Sequence, residues 1–231
     1  MNSDISIVAL SLQIALIATG VTLPLGMLLA WLLVRKNFRG KFVLDVIVSL
    51  PLALPPVVIG YALLWLVGSN GWIGQVSKSL FGSTLAFTWI AAALAAAIVS
   101  LPLVVRSFAA ALSGVDPRLE VAARGLGSGP WRTFFTVTLP LAYRGVIAGG
   151  LLGFVRALSE FGATIVVAGN IQGRTQTVPS AIFTRISAGD TDAAWRLALV
   201  SVVLGVAALA VHNLLIKRSA NGNESTSGGA Q

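Results

Sequence analysis

The sequence predicts an all-α membrane protein of five transmembrane helices, N-terminus outside and C-terminus inside. Three observations predict it: the composition, the recurrence of long apolar runs, and the uneven placement of basic residues. The 231 residues are 56% hydrophobic and 10% charged, where soluble domains carry about 25% charged residues. The apolar runs reach about 20 residues, the length that crosses a hydrocarbon core about 30 Å thick. Lipid offers no partner to backbone N–H and C=O groups, so each run is expected to be helical.

The expected spans are 7–34, 42–67, 85–105, 145–168 and 197–216, together forming one transmembrane domain over 1–218. Between the first two spans lie Arg35, Lys36, Arg39 and Lys41. The loop 106–144 carries Arg106, Arg118, Arg124, Arg132 and Arg144, and Lys217 and Arg218 follow the last span. The opposite side has only Lys78, Arg174, Arg185 and Arg196. The side richer in Lys and Arg is cytoplasmic by the positive-inside rule, which sets the orientation. Trp65, Trp72, Trp89 and Trp195 fall near the outer ends and Trp31 near an inner one, where indole rings favour the interface. No basic residue precedes Arg35, so the first run lacks the charged start of a signal peptide. Residues 219–231, rich in Gly, Ser and Asn, are expected to be disordered.

The same reading excludes several functions. There are no cysteines and one histidine, His212, so thiolate chemistry and a His-rich metal site are ruled out. His212 sits in an apolar helical run and is read as a packed residue. No glycine-rich phosphate loop ending in Lys-Ser or Lys-Thr occurs, so the chain does not hydrolyse ATP by that route. The net charge of +8 follows from the loop distribution and does not call for nucleic acid. No nucleophile–base pair or carboxylate pair suggests an enzyme, and no cofactor is expected to be bound by this chain.

The loop 106–144 is the most informative segment. Asp116 and Pro117 form a helix start, a side-chain cap followed by proline at the first helical position. Leu119, Ala122, Ala123 and Leu126 then recur with helical spacing and give one apolar stripe. Glu120 and Arg124 are four apart on the polar face, in the favourable order. Gly127 is placed as a left-handed helix end. A second short helix is expected from Pro130 to about residue 137, ended by Pro140. Periodicity leaves open whether the stripe is covered by the membrane surface, by the chain's own spans or by another protein.

The spacing Ala122-Ala123-x-x-x-Gly127, nine residues, then Val137-x-Leu139-Pro140 resembles the cytoplasmic loop of ABC importer permeases. In most of that family the glutamate directly precedes the alanines; here Val121 stands between Glu120 and Ala122. Further segments resemble the molybdate permeases, with sulfate and tungstate permeases as near relatives. They are Leu50-Pro-Leu-Ala-Leu-Pro-Pro-Val-Val-Ile-Gly60, Arg156-Ala-Leu-Ser-Glu-Phe-Gly-Ala-Thr164, Ala168-Gly-Asn-Ile171 and Thr175-Gln-Thr-Val-Pro-Ser180. The resemblance implies a type I ABC importer permease fold in a bacterial inner membrane. It also implies a homodimer, two cytoplasmic ATPase subunits that use ATP and Mg, and an external oxyanion-binding protein. Glu120, Ala122, Ala123, Gly127, Leu139 and Pro140 would form the ATPase-coupling loop.

Two spans carry candidates for the translocation path. Pro51, Pro55 and Pro56 remove backbone donors from the second span and bend it; the bend lines a pore or is buried in the bundle. Arg156 and Glu160 place charge in the fourth span, where it is costly and faces the bundle interior or a cavity. They form a structural pair, or they meet the anion at a gate with Ser159, Gly162 and Thr164. The outer segment 169–196 is expected to hold a helix opened by Pro179 and ended by Gly189, with Asp190 or Asp192 capping the last span. A secondary transporter or channel is the alternative class; such proteins carry repeats and more intramembrane charge.

Overall fold

The computed structural model describes residues 2–227 and their side chains except at 2, 3, 81 and 215–227. Among the described residues every regular element is a helix. The chain begins with α1 (Asn2–Arg35), a 34-residue apolar helix whose last residue is Arg35. The expected second span is two helices, α2 (Lys41–Ala53) and α3 (Pro56–Val67), bent by 111°. The bend is sharper than a proline kink. Pro55 and Pro56 are adjacent, so two backbone donors are lost, and Leu54 is held extended at φ −90°, ψ 142° as a residue before proline must be.

The short α4 (Trp72–Phe81) leads to α5 (Trp89–Ser113). Thr88 caps α5, its Oγ1 accepting the Ala91 N–H at 3.3 Å. The helix runs past the expected limit at residue 105 as far as Ser113, because its apolar face continues through Phe108 and Leu112, both fully buried. Next come α6 (Pro117–Gly125), α7 (Pro130–Thr133), a π turn at Phe134–Thr138 and α8 (Leu139–Leu158). The last three form one span-length stretch, Pro130–Leu158. Pro140 therefore does not end a helix. The Leu139 N–H bonds to the Phe134 carbonyl, five residues back, and this widened turn accommodates a proline that an α-turn would reject.

The expected fourth span is also interrupted. After Leu158 the chain leaves the helix for three residues and resumes as α9 (Gly162–Val167). Next come α10 (Val178–Ser187) and α11 (Thr191–Ser227). Gly189 has a φ of 77°, and Asp190 Oδ1 accepts the Ala193 N–H at 3.1 Å, so Asp190 is the capping residue. α11 carries the backbone of 219–227, part of the segment expected to be disordered, as helix. The rest of that segment, 228–231, lies outside the described residues.

Among the described residues four helices are long and apolar enough to cross a membrane, or five if the bent pair is one span. The helix α5 is the centre of the bundle. Towards its start, Ala91, Ala92, Ala95 and Ala96 pack with Ile14 and Ala18 of α1, Leu63 and Val67 of α3, and Ala163 of α9. Towards its end, Val104, Phe108 and Leu112 pack with Ala30 and Leu33 of α1 and Val48 of α2. On α8, Gly145, Gly149 and Gly153 lie four apart and face α5. A Cβ on Gly145 would stand 2.7 Å from Ala111 Cβ, and one on Gly149 2.7 Å from Ser107 Cβ. Small residues at this spacing let two helix backbones approach where apolar burial cannot drive association, as in lipid.

Candidate functional site

The protrusion between α5 and α8 is built inside out. The stripe residues Leu119 and Leu126 are 48% and 90% exposed, and Val121 is 67% exposed. Ala122 is exposed and Ala123 half-buried. The buried residue of α6 is its acid, Glu120, at 7%. Asp116 Oδ1 accepts the Arg118 N–H at 2.8 Å and starts the helix. Gly127 at φ 87° turns the chain out of it; a side chain there would be strained in the left-handed region. Leu139 is half-buried and Pro140 exposed in the first turn of α8.

The expected surface pairing of Glu120 with Arg124 is the weak contact, at 3.8 Å. Glu120 Oε1 instead lies 2.9 Å from Arg35 Nη2 and accepts from Arg35 Nε at 3.0 Å and from the Thr138 hydroxyl at 2.9 Å. Arg35 Nη2 also donates to the Leu112 and Val115 carbonyls, each at 3.0 Å. Sequence reasoning does not find this cluster. Arg35 reads there only as part of the basic loop, and nothing in its spacing marks a partner 85 residues away.

The two interrupted spans meet each other. Gly60 of α3 lies against α9, so that a Cβ there would stand 2.5 Å from the Ala163 carbonyl oxygen. A Cβ on Gly162 would stand 2.9 Å from Pro56 Cβ. Pro56 and Gly162 are thus in contact, while Pro55 and Ser159 are exposed and Thr164 is 2% exposed. Arg156 Nη1 pairs with Glu160 Oε2 at 2.8 Å, and Glu160 Oε1 accepts the Ala163 N–H at 2.8 Å. The buried carboxylate therefore satisfies an orphan donor at the start of α9, the role an acid plays at any helix N-terminus. The Ser159 hydroxyl donates to the Arg156 carbonyl at 3.1 Å.

The segment 169–196 is tied down by polar contacts. The Val178 N–H donates to Ser11 Oγ at 2.8 Å, and Thr177 and Ser180 form a reciprocal cap on α10. Arg185 pairs with Asp4 of α1 and donates to the Ala193 carbonyl at 2.9 Å. His212 Nδ1 donates to the Ala148 carbonyl at 2.8 Å, a packed histidine joining α11 to α8. Among the described residues no cluster of His, Asp or Glu could hold a metal ion.

Span-length apolar helices, two interrupted stretches and an exposed apolar knob define a helical membrane protein. The chain belongs to the family described as binding-protein-dependent transport system inner membrane components, whose model matches residues 22–221. It is 49% identical over 213 residues to the molybdenum transport system permease protein ModB of Escherichia coli K12, covering 92% of this chain and 93% of that protein. It is 46% identical over 216 residues to ModB of Haemophilus influenzae, covering 93% and 94%. Identity to the sulfate transport system permease protein CysT of Escherichia coli K12 is 38% over 205 residues, covering 89% of this chain and 72% of that one. Among solved structures, a bacterial ABC transporter that imports alginate superposes with a TM-score of 0.73 at 15% identity, covering 96% and 80%. The inward-facing MetNI methionine ABC transporter gives 0.63 at 15%, covering 93% and 94%. These structures share the fold. The chain is thus an inner-membrane permease, a transport subunit and not an enzyme.

Proposed function

We propose that this chain forms the membrane path of an ATP-driven molybdate importer, as a homodimer that engages two cytoplasmic ATPase subunits and an external oxyanion-binding protein. The carrying observation is the protrusion. Leu119, Val121 and Leu126 stand exposed on α6 and its C-terminal turn, and a fully buried side chain of this kind is worth about 1.5–3 kcal/mol. A partner that covers them gains what the folded chain leaves unused. Ala122 and Ala123 keep the helix slim, and Gly127, Leu139 and Pro140 fix how it leaves and rejoins the bundle.

In the same reading the chain crosses the membrane five times with its N-terminus outside. The bent pair α2–α3 packs along both ends of α5, as one crossing chain would. The protrusion then shares the cytoplasmic side with Arg35, Lys36, Arg39 and Lys41. The path follows the crossing of the broken spans, with Pro55, Pro56, Ser159, Gly162 and Thr164 near it and the Arg156–Glu160 pair holding its geometry. Helix breaks at membrane depth are tolerated where they line a cavity or are buried in protein. ATP binding by the partners closes them on α6, the spans tilt, and the outer end opens to the delivered anion. A weak site on the path suffices, because tight binding would slow release, and selectivity rests with the binding protein.

The relatives named for molybdenum cover more of their own length and are more alike than the sulfate permease, which favours molybdate. The test is ATP hydrolysis by the reconstituted complex with its binding protein. Molybdate is expected to raise the rate several-fold and sulfate to leave it unchanged. Stimulation by sulfate alone would assign the chain to the sulfate type, and stimulation by neither would remove the oxyanion reading.

A further inference from the structure

We infer that Arg35, Glu120 and Thr138 form the joint through which a push on α6 reaches both α1 and the helix that continues into α8. The inference rests on the proposed docking of an ATPase on α6 and adds the internal half of that coupling. Glu120 stands one residue before the position that the family's glutamate takes, and it points into the chain and is 7% exposed. The outward position is taken by Val121.

Three properties make this cluster a joint. It links four elements through three side chains: Arg35 ends α1, its guanidinium holds the Leu112 and Val115 carbonyls at the end of α5, Glu120 belongs to α6, and Thr138 closes the π turn before α8. It is directional: charge-assisted bonds from a planar guanidinium set orientation as well as distance, whereas apolar contact is non-directional and lets surfaces slide. It is also the inward anchor of a helix whose large apolar side chains all face out. A partner therefore grips the outside of α6 while the carboxylate holds the inside, and the two contacts do not compete.

The π turn belongs to the device. By carrying the Leu139 N–H back to the Phe134 carbonyl, it absorbs Pro140 without stopping the helix. Displacement at Thr138 is thereby passed along a continuous stretch to the Arg156–Glu160 break. Glu120, Arg35 and Thr138 are positioning residues; none is placed in the path of the transported anion.

The experiment uses the full transporter in proteoliposomes and reads three quantities: ATPase subunit retained on purification, ATP hydrolysed, and molybdate taken up per ATP. The variants are Glu120→Ala, Thr138→Val, Thr138→Ser as the conservative control, and Leu126→Glu on the outer face. Glu120→Ala and Thr138→Val are expected to keep ATPase retention within about twofold of the parent and to lower uptake per ATP, by roughly tenfold and threefold. Thr138→Ser should restore it. A simple loss of fold would reduce all three readings together. If Glu120→Ala does not accumulate, Thr138→Val decides, since it removes one hydroxyl from an isosteric side chain. Unchanged uptake per ATP in Thr138→Val, or loss of ATPase retention in Glu120→Ala, overturns the joint. Full ATPase retention in Leu126→Glu overturns the docking reading instead.

Discussion

Gly60 has no room for a methyl group. A Cβ there would meet the Ala163 carbonyl oxygen at 2.5 Å and the Ala163 Cα at 2.8 Å. Both are backbone atoms and cannot rotate away. Gly60→Ala is expected to destabilise the bundle by about 1–3 kcal/mol, the usual cost of overpacking, by separating α3 from α9. Gly205 is a control in α11, where a methyl group would meet nothing within 4 Å; Gly205→Ala is expected to be neutral or slightly stabilising, since alanine outranks glycine in a helix. Thermal unfolding in detergent should show a clear drop for Gly60→Ala alone, and equal midpoints for the two variants would contradict the close crossing. At this scale the sequence is legible in part. The left-handed Gly127 and the Asp116 cap follow from local chemistry, and the structure has both. The direction of Glu120 is not legible. A surface i,i+4 pair with Arg124 and a buried contact with Arg35 use the same carboxylate, and only tertiary packing chooses between them.

The interruption between α8 and α9 depends on Glu160. Its carboxylate serves the Ala163 N–H and Arg156 together, at 2.8 Å each. Glu160→Gln keeps an acceptor for the N–H, while Glu160→Leu removes both contacts and leaves a buried donor unpaired, a loss of about 1–3 kcal/mol. Stability and uptake are expected to fall together and further in the leucine variant. Wild-type stability with abolished uptake in Glu160→Gln would instead make the charge itself part of the anion path. The break in the second span can be read from Pro55 and Pro56. The one in the fourth cannot, because 145–168 is apolar around a single ion pair and holds no proline. Pro140 misleads in the opposite direction: a proline normally stops a helix, and the π turn that spares this one has no sequence signature of its own.

Across the molecule, composition and basic-residue placement are enough to predict an all-helical membrane protein, and the motifs are enough to suggest the family. What they do not supply is the inside-out build of α6, since a stripe of Leu and Ala reads the same whether it faces a core, a membrane or a partner. That face is the one we propose a partner covers. The central claim is that this bundle moves its solute only when driven by a partner through α6. The most direct measurement is molybdate flux into proteoliposomes holding this chain alone, compared with the chain plus its ATPase, binding protein and ATP. Flux is expected only in the complete system; rapid uptake by the chain alone would contradict the account.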